Sequence, residues 1–140
     1  MIHNIRFRVF VYKNEDENDL KQAILNVFPD AEIEYEEAEG LTGDDILILT
    51  GVVDKKAQTK EFFNKLLELD SEVLDKLVAD LDKKTDEGGN LFLRLSKQSA
   101  IDDKIEIVDS GDAIHLKIKI AAYPAKKDIA VKKVKEAIEN

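Results

Sequence analysis

The stretch KIEIVDSGDAIHLKIKI, residues 104 to 120, decides the fold class. In its second half Ile114, Leu116, Ile118 and Ile120 alternate with His115, Lys117 and Lys119. That period of two belongs to a strand with one apolar and one polar face. KIEIV reads as a shorter strand, and DSGD between them has the composition of a tight turn. Strands that follow one another through tight turns predict a mixed or mostly antiparallel sheet, with helices packed on one side.

Working outward, GGNLFLRLSKQSA at residues 88 to 100 holds a further strand, in which Leu91, Leu93 and Leu95 alternate with Phe92, Arg94 and Ser96. It runs straight into Lys97 and Gln98, which the pattern places at a strand terminus or bend. After residue 120, Pro124 ends the long strand, and a lysine-rich helix follows with Ala130, Val134, Ala137 and Ile138 on its apolar side. At the other end of the chain Ile5, Phe7, Val9 and Val11 alternate with Arg6, Arg8, Phe10 and Tyr12, a strand with a basic, aromatic outer face. After Asn14 a helix with acidic residues crowding its first turn runs through Leu20, Ile24, Val27 and Phe28 and stops at Pro29. Ala31, Ile33 and Tyr35 then alternate with Glu32, Glu34 and Glu36 in a second strand. ILIL at 46 to 49 reads as an interior strand covered on both faces. Two helices follow, one with Phe62, Phe63, Leu66, Leu67 and Leu69, the next capped at Asp70 or Ser71 and carrying Val73, Leu74, Leu77, Val78 and Leu81. TDEGGN turns the chain into the strand at 91. The expected order is β-α-β-β-α-α-β-β-β-α, a single α+β domain over residues 1 to 140.

Composition bounds the chemistry. With 44% hydrophobic residues, 140 residues can bury a core without covalent staples. The absence of cysteine excludes disulfides, thiolate metal sites and cysteine nucleophiles, and fits a reducing cytoplasm. No apolar stretch reaches bilayer length, so no membrane partner is expected. The formal charge is −9, unevenly placed: residues 1 to 93 hold 11 basic and 22 acidic residues, and residues 94 to 140 hold 10 and 8. A polyanion could still find a local basic patch on such a chain, although abundant Lys and Glu equally suits a thermostable surface.

Outward positions on three strands offer that patch: Arg6, Arg8, Phe10 and Tyr12, then Phe92 and Arg94, then His115, Lys117 and Lys119. If they share one face, cations and rings together suit single-stranded nucleic acid. If they do not, they are an ordinary solvated sheet surface. The cluster Arg94, Lys97 and Gln98 is a second candidate, since a guanidinium, an ammonium and an amide suit phosphate and base-edge recognition. Its spacing alone equally describes a polar turn. His3 and His115 form no ligand motif, Gly88 and Gly89 form a turn rather than a phosphate loop, and the acidic run from Glu32 to Asp45 reads as a solvated strand face, so no metal and no cofactor are expected. Nothing pairs a nucleophile with a base, and no catalysis is expected.

GGNLFLRLSKQSA resembles a segment of an archaeal family of predicted RNA-binding proteins, described as exosome-subunit-like, in which the strand ends Arg-Leu-Asp-Lys-Gln-Ala. IHNIRFRVFVYKNEDENDLKQAILNVFP is similar to that family's first strand and helix. GLTG at 40 to 43 stands where the family has a Gly-x-x-Gly loop, without the His and aromatic residue common between those glycines, and SGDAIHLKIKIAAYP is similar to its Gly-Asp strand. Ser96 departs from the family's usual Asp. The resemblance implies RNA binding, a fold similar to the large-subunit ribosomal protein that holds 5S ribosomal RNA, and a role for Arg94, Lys97 and Gln98. The expected function is non-catalytic binding of structured or single-stranded RNA through Arg94, Lys97, Gln98, Arg6, Arg8, Lys117 and Lys119, in association with RNA processing or an exosome-like assembly. The alternative is a protein-interaction module, a homodimer or an acidic docking surface for protein subunits.

Overall fold

A computed structural model describes residues 1 to 40 and 43 to 140. Its elements are β1 (Ile2–Val11), α1 (Glu17–Val27), β2 (Glu34–Glu39), β3 (Asp45–Val53), α2 (Lys56–Leu67), α3 (Ser71–Lys84), β4 (Asn90–Leu95), α4 (Lys97–Ile101), β5 (Ile107–Val108), β6 (Ile114–Ile120) and α5 (Lys127–Glu139). The strands form a six-stranded sheet in the order β2-β3-β1-β6-β4-β5. Every pairing is antiparallel. The fold is α+β, as the strand-rich pattern predicts.

Alternation does the sorting. Ile5, Phe7, Val9 and Val11 of β1 turn inward beside Ile114, Leu116, Ile118 and Ile120 of β6 and Leu91, Leu93 and Leu95 of β4, and all are buried. Helices cover that inner face with Leu20, Ile24 and Val27 from α1, Phe62 and Leu66 from α2, Leu77 and Leu81 from α3, and Ala130 and Val134 from α5. Each Leu or Ile buried this way stabilises by about 1.5–3 kcal/mol before entropy is counted. Phe28 bridges sheet and helices, with its ring centroid 5.7 Å from that of Phe7 and 5.1 Å from that of Phe62. Gly51 makes room for this stack. A Cβ there would stand 2.3 Å from Phe7 Cζ and 2.6 Å from the Glu32 carbonyl.

Several expectations change. β5 does not form a hairpin with β6: it pairs with β4, Arg94 opposite Val108 and Leu95 opposite Ile107, while β6 lies on the other side of β4. The DSGD segment is therefore a strap that crosses the end of β4. RLSKQSA does not end in a bend, because Lys97–Ile101 form α4, with the Ser96 hydroxyl accepting from the Ser99 N–H at 3.2 Å. β2 starts at Glu34, and Ala31 and Ile33 lean on the core before it. As the outermost strand β2 exposes Glu34, Tyr35, Glu36, Glu37 and Glu39, on both of its faces. β3 is interior to the sheet, but its outer side chains Ile46 and Ile48 are only half-buried because no helix covers them. The GLTG motif lies partly outside the described residues.

Candidate nucleic-acid interface

Strand order brings the expected outer faces together. β1, β6 and β4 are consecutive neighbours, and their outward residues are cross-strand partners. Arg6 faces Lys117, which faces Phe92; Arg8 faces His115, which faces Arg94; Asn4 faces Lys119, which faces Asn90. These three rows lie on the side opposite the helices. Arg6, Arg8, Phe92, Arg94, His115 and Lys117 line a cleft of about 1150 Å³.

The charges on this floor are held by rings more than by acids. Arg8 Cζ lies 5.3 Å from the centre of the Phe10 ring and Lys117 Nζ 6.0 Å from that of Phe92. Among the described residues no carboxylate comes within 4.0 Å of Arg6, Arg8, Arg94 or Lys117. Arg94 donates through Nη1 to the Gly111 carbonyl at 3.0 Å, which uses one of its five donors. His115 is half-buried between these arginines. Burial, then Arg94 and Arg8, then Lys97, push its pKa below the ordinary 6.5, and Asp112 opposes them only in part. This favours the neutral imidazole at pH 7.

Lys119 stands at the end of this band and donates to the Gly88 carbonyl. Lys97 and Gln98 lie elsewhere, on α4. Gln98 is exposed, with Nε2 3.4 Å from Asp102 Oδ2. Lys97 is only 8% exposed, and its ammonium donates to the Phe10 carbonyl at 2.6 Å, Asp112 Oδ2 at 2.7 Å and Glu15 Oε1 at 2.9 Å. With three donors and three acceptors, it has nothing left to offer a ligand. Arg94 and Lys97 thus both hold the strap, one at Gly111 and the other at Asp112.

Sequence reading missed the walls of the cleft. Lys83 and Lys84 from the last turn of α3 stand on one side. Asp30, Glu32, Glu34, Asp54 and Lys55 stand on the other, by β2 and β3. Nothing in the local pattern says where a helix terminus or a loop carboxylate will come to rest. The lysines of α5 stay on the helix layer, behind the sheet, where Ala130 and Val134 anchor it.

The fold is a helix-backed antiparallel sheet whose open face carries cations and an exposed ring, groups that can meet phosphates and bases. The chain belongs to the RNA-binding family whose model matches residues 4 to 120. A protein of Pyrococcus abyssi named as an RNA-binding protein is 33% identical over 144 residues, covering 98% of this chain and 94% of its own. The solved DUF54 protein of Methanothermobacter thermautotrophicus is 44% identical, with a TM-score of 0.88 over 99% of this chain and 98% of that one. A DUF54 protein from Sulfolobus solfataricus shares the fold, with a TM-score of 0.75 at 23% identity over 97% of each chain.

Proposed function

We propose that this protein binds RNA without chemistry, through the open face of β1, β6 and β4. The observation that carries the reading is the register: it sets Arg6, Arg8, Arg94 and Lys117 side by side with Phe92, none of the four cations in a salt bridge among the described residues. Phosphates meet the cations and a base meets the ring. Lys119 extends the band. Within this reading Lys97 acts by positioning, since it fixes the strap that Arg94 also grips, and Gln98 marks the outer end of the same corner. His115 has arginines for neighbours and no hydroxyl partner among the described residues, which favours binding over catalysis.

The test is a titration of fluorescent RNA at several salt concentrations. Four phosphate contacts give a log–log salt slope of about −3, so affinity falls by about 50-fold between 50 and 200 mM salt. Arg6→Ala with Lys117→Ala lowers affinity and reduces the slope by roughly half, with the unfolding midpoint held. Unchanged binding by that double variant would sink the site assignment.

A protein partner, such as a subunit of the RNA-processing assembly that the sequence resemblance implies, fits best at the acidic edge of β2. The glutamates there offer a basic surface an opposite charge and leave the RNA face open. The same edge argues against a strand-paired homodimer, because two copies would set carboxylate against carboxylate. Complexes recovered from native extract that survive ribonuclease support the partner. Loss of every complex with ribonuclease leaves RNA as the tether.

A further inference from the structure

We infer that the cleft selects single-stranded over duplex RNA, an inference that rests on the RNA-binding reading and specifies its ligand. The first reason is where the charge stops. From β1 to β4 the floor spans two strand spacings, about 10 Å, with successive outward rows about 7 Å apart. One phosphate backbone can follow this band. A second backbone on the β3 and β2 side would lie over Glu32, Glu34 and Asp54, none of them in a salt bridge among the described residues, with Lys55 beside Asp54 as a single cation on that wall. The opposite wall is different, since Asp109 there is already bound by Lys76 and Lys84. The cleft therefore offers its free cations along β1, β6 and β4 and carries a net acidic wall toward β2 and β3, where Asp30, Glu32, Glu34 and Asp54 outnumber Lys55.

The second reason is independent of charge. Phe92 is 45% exposed on this floor, with Lys117 over its ring and Arg94 two residues along the same strand. A ring presented this way can stack only on a base whose face is open. In a duplex both faces of an internal base are covered by neighbours, and its edges are paired. An unpaired strand supplies the open faces, and stacking of this kind tolerates any sequence. Both features favour the same ligand.

The experiment compares one short unstructured RNA with the same strand annealed to its complement, at low salt, by fluorescence anisotropy. Wild type is expected to bind the single strand at least about 5-fold more tightly, the lower end of what one stacked base is worth. Phe92→Leu, which keeps a strand-forming apolar residue, is expected to lose about 5-fold or more on the single strand and to leave the duplex unchanged. Glu32→Gln with Glu34→Gln and Asp54→Asn is expected to improve the duplex more than the single strand. Equal or tighter duplex binding by wild type overturns the inference while RNA binding itself stands, and so does an equal loss on both ligands in Phe92→Leu. Failure of both RNAs to bind overturns the RNA-binding reading together with it.

Discussion

Lys97 Nζ holds three oxygens together, two of them carboxylate, and replacing it leaves Glu15 and Asp112 facing one another without a cation. Lys97→Met is expected to destabilise by roughly 2 kcal/mol in urea unfolding, less than the ~3–5 of a fully enclosed ion pair because Asp112 can turn to water. Lys97→Arg should not restore it, since a planar fork cannot reproduce the point contact of an ammonium with three converging acceptors. A variant with wild-type stability would show that the cluster is incidental. The residue type was visible in the sequence, but its burial was not: a lysine at the end of a strand reads as solvated, and only Phe10, Glu15 and Asp112, from remote parts of the chain, make it otherwise.

At the scale of elements, α4 shows how a short motif can be read correctly as composition and wrongly as shape. Five residues make little more than one turn, too few for a helical period to be seen above the strand alternation that precedes it. Ser96 is the signal that was there to be used, because Ser and Asp are both strong N-cap residues. An Asp at this place would do the same work as the serine. Ser96→Ala is expected to cost about 1 kcal/mol and Ser96→Asp to hold stability, measured by thermal unfolding. An alanine variant as stable as wild type would mean that α4 is fixed from outside, by the Lys97 cluster and by Asn26, whose Nδ2 donates to the Ala100 carbonyl at 2.8 Å. The strap from β5 to β6 was misread for a similar reason. DSGD has hairpin composition, yet β4 takes the place between the two strands and leaves them no shared edge.

Across the whole molecule, an acidic chain keeps a basic floor by segregating its charges through strand order. His115 sits in that field, and its titration reports on it. In the unfolded chain it binds a proton near pH 6.5, whereas in the fold Arg94 from β4, Arg8 from β1 and Lys97 from α4 add to burial to lower its pKa, against Asp112 alone. The unfolded state therefore holds more protons as the pH falls below about 7, and stability declines through that window. His115→Gln is expected to flatten this part of the stability curve. A phosphate seated between Arg8 and Arg94 reverses the local field and raises the imidazole pKa, so RNA affinity is expected to rise as the pH falls from about 7 to 6. An imidazole titration followed by NMR, with and without RNA, checks both. An identical pKa in the two states would remove His115 from the contact.

The sequence by itself determined the α+β class, the inward and outward sets of β1, β4 and β6, and the helices α1, α2, α3 and α5, because apolar period is a local property of the chain. Caps told less, since Asp70 at the start of α3 makes no side-chain cap bond. Tertiary structure alone decided that β1, β6 and β4 are neighbours, which turned three separate polar faces into one surface. It also buried Lys97 against Phe10, Glu15 and Asp112 and set Glu32, Glu34 and Asp54 in the same cleft as the arginines. Pairing and burial depend on residues far apart in the chain, and alternation along one strand carries no record of which strand lies next to it.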